Sequence, residues 1–306
     1  MLFRSVNPDS GHNWYGKTPL MGAAERGHEA IVKLLLDREE VNPDSKDNTG
    51  QTPLLRATWG GHEAIVELLL DLEEVNPDPR DNYDQTPLWC AAEHGYEGIV
   101  KQLLNRKEVN PNSSFLGQKL LLYAIERGHQ EIVMLLLDRE DVNPDSRDNY
   151  YDQTPLMCAA ENGHEGIVKQ LLNRKDVNPD SKDRDDRTPL WWAAKGGHEG
   201  VVRMLLNRKD VNPDSKDSHD RTPLWCAAQG GFEEIAKLFL DRKEVNPRCT
   251  DIRRRTPLRC ATENGHKGIV KLLQSRGYAE SDEEKEYYYR CRYEFEESSC
   301  EDSDDS

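Results

Sequence analysis

The sequence lacks most of what the common functional classes require. No uninterrupted apolar run exceeds Leu120 to Ile125, far short of the roughly 20 residues that cross a bilayer. The start, Met1-Leu2-Phe3-Arg4-Ser5-Val6-Asn7-Pro8, holds no apolar stretch of leader length. Positive charge is also scarce: 41 Lys+Arg stand against 57 Asp+Glu, a net of −16 at pH 7. Nucleic-acid binding draws on cations against phosphate, and anionic lipid repels the same excess of acid. Neither nucleic acid nor membrane is therefore expected as a partner. Phosphate-cradling Gly-x-x-x-x-Gly-Lys-Ser/Thr, dinucleotide Gly-x-Gly-x-x-Gly, nucleophilic Gly-x-Ser-x-Gly and zinc-binding His-Glu-x-x-His are all absent. The expectation is no enzyme, no cofactor and no small-molecule substrate. Apolar residues make up only 36%, too few for one large core but enough for several thin, shared ones.

Cysteines are few and unpaired in pattern. There are seven, with no Cys-x-x-Cys. Cys90, Cys158, Cys226 and Cys260 each follow Thr-Pro-Leu-x, one per repeat, so they read as core thiols rather than converging metal ligands. Reduced thiols fit an intracellular location, cytoplasmic and/or nuclear.

What is present is a repeat. Thr-Pro-Leu begins at 18, 52, 86, 154, 188, 222 and 256, and Lys119-Leu120-Leu121 fills the missing slot. Val-Asn-Pro begins at 6, 41, 75, 109, 142, 177, 211 and 245. A Gly-His pair follows six of the eight slots, giving His28, His62, His129, His164, His198 and His266; Tyr96 and Phe232 replace the His in the other two. Within a unit, Thr52 caps a first helix and Pro53 sits at its first position, where a missing N–H costs nothing. Gly61 ends it. A second helix from about Glu63 carries Ile65, Val66, Leu68, Leu69 and Leu70 as an apolar stripe. About fourteen polar residues follow. Helices of two turns are not stable alone, so each pair must be covered by the next. The Ala pairs, such as Ala91-Ala92, make the first helix the thin, concave side.

A 34-residue helix-turn-helix also suggests a tetratricopeptide unit, but nearly half of each unit here is loop. The pattern Thr-Pro-Leu-x-x-Ala-Ala-x-x-Gly-His-x-x-Ile-Val-x-Leu-Leu-Leu, followed by Val-Asn and an Asp-rich turn, resembles the ankyrin repeat. The resemblance covers residues 6 to about 276. It implies an all-α fold: an ankyrin-repeat solenoid of eight helix-turn-helix units with projecting β-hairpin-like fingers. Helix pairs would start at 18, 52, 86, 119, 154, 188, 222 and 256 within residues 18–276. Residues 1–17 would be a partial repeat or finger, and 277–306 an acidic, Tyr-rich tail. The Val-Asn-Pro-Asp-Ser fingers are similar to those of fungal ankyrin arrays, where long arrays often sit behind a nucleotide-binding domain. The family's His after Thr-Pro-Leu is replaced by Met21, Leu55, Trp89, Met157, Trp191, Trp225 and Arg259, and the Gly after the second helix is missing.

The resemblance implies protein–protein recognition through fingertips and the concave face, hence a non-enzymatic interaction module, a scaffold or the recognition arm of a larger protein. The alternative is a regulatory or targeting subunit that holds a catalytic partner. The partial first unit is consistent with the C-terminal part of a longer chain, or with a tolerated, imperfect end. Asp47, Asp81, Asp148, Asp183, Asp217 and Asp251 read as turn caps rather than a calcium loop, which would need a closing Glu. Lys119 in the fourth unit has lost the capping Thr, so that unit is expected to be weak. The tail, Gly277 to Ser306, holds twelve Asp/Glu against three Lys/Arg. It reads as a disordered solvating segment, with a short helix over the last repeat as the alternative; it is also a candidate competitor for a basic finger. Aromatics and arginines anchor interfaces. The candidate partner-binding residues are the aromatic fingertips Trp14, Tyr15, Tyr83, Phe115, Tyr150 and Tyr151, the helix-face Trp59, and the basic set Arg184, Arg187, Arg221, Arg253, Arg254 and Arg255.

Overall fold

The computed structural model describes residues 15–115 and 118–279. They form eight helix pairs: α1 (Pro19–Glu25) with α2 (Glu29–Leu36), α3 (Pro53–Trp59) with α4 (Glu63–Leu70), α5 (Pro87–His94) with α6 (Glu97–Leu104) and α7 (Leu120–Glu126) with α8 (Gln130–Leu137). The series continues with α9 (Pro155–Glu161) and α10 (Glu165–Leu172), α11 (Pro189–Gly196) and α12 (Glu199–Leu206), α13 (Pro223–Gly230) and α14 (Glu233–Leu240), and α15 (Pro257–Glu263) and α16 (Lys267–Ser275). The fold is the expected all-α repeat.

Local chemistry sets each pair. The Thr hydroxyl accepts from the N–H three residues on at Thr18, Thr52, Thr86, Thr188, Thr222 and Thr256, at 3.2–3.3 Å, and Pro follows at the first helical position. Lys119 makes no such cap. The turn inside each pair passes through a glycine in the left-handed region, for example Gly61 at φ +70 and Gly197 at φ +78. The ring that follows lies against the glycine of the preceding repeat: His62 on Gly27, Tyr96 on Gly61, Phe232 on Gly197. His62, His198 and His266 also place Nε2 2.8–3.0 Å from a carbonyl 37 residues earlier, on Glu25, Glu161 and Gln229. At these three positions the histidine has a structural role, as its spacing suggests.

The chain divides into two compact units. Of the described residues, one unit takes those up to Pro155 together with Asn173–Val177, and the other takes Leu156–Leu172 together with those from Asn178 on. In the first, α1, α3, α5 and α7 pack as an inner row and α2, α4, α6 and α8 as an outer row. In the second, α11, α13 and α15 form the inner row and α10, α12, α14 and α16 the outer. The core is thin: the inner alanines (Ala91, Ala92, Ala193, Ala194, Ala227, Ala228) and the outer Ile/Val/Leu stripe are buried. Cys90, Cys158, Cys226 and Cys260 are buried free thiols, and burial pushes Cys90 up to about 12 and Cys260 up to about 11.

Repeats are joined by bonds spanning 32–37 residues. The Arg after the outer helix donates Nη1 to the last carbonyl of the preceding outer helix: Arg139 to Leu104, Arg174 to Leu137 and Arg208 to Leu172, at 2.8–2.9 Å. Arg242 reaches Leu206 through Nη2 and Arg276 reaches Leu240 through Nη1. In each Val-Asn-Pro-Asp motif among the described residues the Asn side chain accepts from the N–H two residues on, as in Asn76 with Asp78 and Asn212 with Asp214. The Asp carboxylate then receives the next repeat's Asn N–H: Asn110 to Asp78 at 3.4 Å and Asn246 to Asp214 at 3.2 Å.

Candidate protein-binding surface

The fingers are narrower than hairpins. Among the described residues only the fourth forms a β-ladder, β1 (Ser114–Phe115) against β2 (Gln118–Lys119). Six others close without a ladder, the Asp N–H donating to the carbonyl four residues on, or five in the fifth finger: Asp47 to Gln51, Asp81 to Gln85, Asp148 to Gln153, Asp183 to Arg187, Asp217 to Arg221 and Asp251 to Arg255. The Asp side chain braces the tip from inside. Asp81 Oδ1 accepts the N–H groups of Tyr83 and Gln85, and Asp217 Oδ1 those of His219 and Arg221. The turn needs one left-handed residue, supplied by Gly50, Asp84, Asp152, Asp186, Asp220 and Arg254. The acid-rich fingers are therefore turn structures, as their composition suggests.

Neighbouring fingertips are stitched together. Asn48 N–H donates to Tyr15 O and Asn82 N–H to Thr49 O, both at 2.9 Å, in the first unit. Ser218 N–H donates to Asp185 O and Ile252 N–H to His219 O in the second. Side chains on such a strip are presented from a fixed backbone, which lowers the ordering cost of binding.

In the first unit this strip forms an open groove lined by Tyr15, Lys17, Thr49, Gln51, Arg56 and Tyr83. Tyr15 and Tyr83 are 67% and 69% exposed. Arg56 lies in the groove, bonded to Glu25 at 3.1 Å and to the buried Asp47 at 2.7 Å, and Lys17 pairs with Glu25. Burial acts to raise the Asp47 carboxyl. The hydrogen bonds from Thr49, Arg56 and Gln51 outweigh it and leave the group below its ordinary range. Trp59, 40% exposed, meets His94 edge-on at 4.9 Å. The fifth finger carries one residue more than its neighbours and presents both Tyr150 and Tyr151 to solvent.

Phe115 departs from the fingertip expectation. It is half-buried and packs on Trp89 of the inner helix α5, ring centroids 5.6 Å apart, so its ring faces the inner row rather than solvent. Trp14 lies outside the described residues. Arg187, Arg221 and Arg255 are also not fingertips. Each stands at the finger base, with Nε on the Asp four residues earlier at 2.8–2.9 Å: Asp183, Asp217 and Asp251, all buried. Their guanidinium groups stack on the inner tryptophans: Arg187 over Trp192 at 4.3 Å, Arg221 near Trp191 and Trp225 at 5.4 and 5.6 Å, and Arg255 over Trp225 at 5.3 Å. The cause is the buried carboxylate, which demands a cation. Arg184, Arg253 and Arg254 are exposed on the tips. Ile252, 59% exposed beside them, adds an apolar tip that is neither aromatic nor arginine.

Among the described residues, no group of three His, Cys, Asp or Glu side chains is placed to hold a metal. No helix there is long and apolar enough to cross a membrane.

The comparisons agree with this geometry. A family model for ankyrin repeats (three copies) matches residues 1–81, 21–114, 72–148, 88–183, 121–217 and 209–284. The chain is similar to the crystal structure of the ankyrin repeat domain of Bcl-3, described as a unique member of the IkappaB protein family. Identity is 26% and the TM-score 0.62, over 73% of this chain and 99% of that one. No curated protein matches it. With repeat after repeat matched along nearly its whole length, the chain belongs to the ankyrin repeat family.

Proposed function

We propose that this chain is a non-enzymatic protein-binding module whose recognition surfaces are the stitched fingertips of each unit with the inner-helix residues beside them. Ankyrin repeats are protein–protein interaction modules, so the binding role follows from the family. The observation that supports this particular surface is the pair Tyr15 and Tyr83. Both are exposed by about two-thirds; the Tyr15 carbonyl accepts from the next finger's Asn48, and Tyr83 follows Asn82, whose N–H donates to Thr49 O of the finger before. Two large rings held open to water over a polar groove are poor for solubility and good for anchoring a partner. Trp59, Tyr150 and Tyr151 extend the apolar part of the first unit, and Arg184, Arg253 and Arg254 supply a basic part in the second. Reduced, separate core thiols support an intracellular setting.

The test is photo-cross-linking in cells, with the reactive residue placed at Tyr83, at Arg184 or, as a control, at Glu67 on the outer helix α4. Protein adducts are expected from the two finger positions and not from Glu67. Equal capture at Glu67, or none at the fingers, would place recognition elsewhere.

A further inference from the structure

The last repeat differs in charge from everything before it. Residues 245–276 hold eight Lys/Arg against two Asp/Glu, a net of +6, whereas residues 1–244 hold 30 against 43, a net of −13. The change falls at positions that are acidic in most other repeats. Arg248 stands where other fingers have Asp44, Asp78, Asp145, Asp180 and Asp214. Arg254 stands where they have Asp84, Asp152, Asp186 and Asp220, and Lys267 opens α16 where six of the other outer helices open with Glu, as at Glu29 and Glu233. Arg248, Arg253, Arg254, Lys267 and Lys271 are all exposed. Lys267, Lys271 and the Arg253 guanidinium make no ion pair among the described residues.

The chain then turns back onto this surface. After α16, Gly277 takes φ +85 and the Tyr278 N–H donates to Leu273 O at 3.1 Å, reversing direction. The Tyr278 ring lies beneath the Arg248 guanidinium, 5.9 Å from its centroid. The segment that follows, 280–306, carries twelve Asp/Glu against three Lys/Arg, a net of −9. Its first acid, Glu280, is two residues beyond the ring that touches Arg248.

We propose that the acidic segment 280–306 binds back onto the basic surface of the last repeat, centred on Arg248, Arg253 and Arg254, and occupies it within the same molecule. A tether this short gives an effective concentration on the order of millimolar, so even a weak electrostatic contact is largely formed at low salt. Salt screens it. An acidic partner of the same surface must displace the segment first. The self-contact itself does not depend on the partner reading above.

The experiment uses the full chain and a fluorescent synthetic peptide of residues 280–306. One variant has the twelve tail acids changed to Asn or Gln. A second adds Arg248→Asp, Arg254→Asp and Lys267→Glu, the residues that other repeats carry at those positions, so the fold is kept. The peptide is expected to bind the tail-neutralised chain at least about tenfold tighter than the native chain at 50 mM NaCl, with most of that affinity gone at 500 mM. The second variant is expected to lose binding. Equal binding to native and tail-neutralised chains, or binding to neither, overturns the proposal. Binding that survives the charge reversal overturns its location. Sedimentation adds a further arm. A native dimer that dissolves on tail neutralisation would seat the segment on a second copy and overturn the intramolecular contact.

Discussion

Arg208 donates Nη1 to the carbonyl of Leu172, 36 residues earlier, at 2.8 Å, while Nε and Nη2 hold the carboxylate of Asp210 at 2.9 and 2.7 Å. One planar group thus caps the C-terminus of α10 and anchors its own loop. The carbonyl is one of those a helix end leaves without a partner, and the cation complements the helix dipole. Arg208→Ala is expected to cost about 1 kcal/mol, below the usual value for a charged hydrogen bond because the site is partly solvated. Arg208→Lys is expected to recover little, since a point ammonium cannot serve both partners. Urea unfolding measures both.

The second repeat lacks this clamp, because Leu72 occupies the position. Leu72→Arg would place a guanidinium where Arg139, Arg174, Arg208, Arg242 and Arg276 cap the preceding outer helix in later repeats. A gain of about 0.5 kcal/mol is expected, seen as slower hydrogen exchange in α2. Unchanged exchange there would mean that the α2 terminus is already satisfied.

The fourth repeat combines a lost cap with a replacement. Lys119 leaves the N-terminus of α7 uncapped, yet β1 and β2 pair beside it and the Leu120 N–H donates to Ser113 O at 3.2 Å. Lys119→Thr is expected to stabilise by about 1 kcal/mol. Leu120→Pro, which would complete the repeat pattern, is expected to destabilise, since it removes that N–H from a buried site. Urea midpoints at constant slope check both.

Burial raises the carboxyls of Asp44, Asp78, Asp145, Asp180 and Asp214 above their ordinary range, against the opposing pull of nearby cations and, for all but Asp145, of backbone N–H groups. An acid whose folded pKa is raised adds stability below its unfolded pKa, and loses it as pH rises through the folded value. At pH 7 each of these carboxylates therefore weighs against the fold. Asp78→Asn is expected to raise the unfolding midpoint at pH 7, with the advantage shrinking as pH falls towards 4. An advantage that instead grew on acidification would show that the ionised form is favoured by the fold.

The helices were legible in the sequence because their signals are local. Thr52-Pro53 and Gly61 act within a few residues of where they stand, and so does the Asp217 side chain that braces its own finger. The bonds between repeats were not legible. Arg208 reaching Leu172, Asp214 accepting from Asn246 and His198 approaching Glu161 O all join residues 32–37 apart, and a repeat offers every such residue several equivalent partners. The surface divided in the same way. Tyr15 and Tyr83 stand exposed on their fingers, but Arg187, Arg221 and Arg255 look like Arg253 in one dimension. What separates them is a carboxylate four residues earlier that is buried on folding, and burial is a property of the packed repeat.

That distinction can be measured. Arg221 holds Asp217, whose carboxylate is fully buried, through Nε and Nη2 at 2.8 and 2.7 Å. Arg253 is exposed on the next finger. Arg221→Gln keeps a side chain that Gln51 and Gln85 supply at the same place in other fingers, so the protein is expected to fold. It loses the cation beside a buried anion and is expected to cost about 1–2 kcal/mol, less than a fully buried pair because Arg221 itself is partly exposed. Arg253→Gln is expected to leave stability within about 0.5 kcal/mol. It should slow association with an acidic peptide at low salt, an effect that fades as salt rises. Stopped-flow association rates and urea unfolding on the same two variants separate the roles. If Arg221→Gln slowed association as much as Arg253→Gln and left the unfolding midpoint untouched, its guanidinium would be a recognition group rather than a brace for the finger.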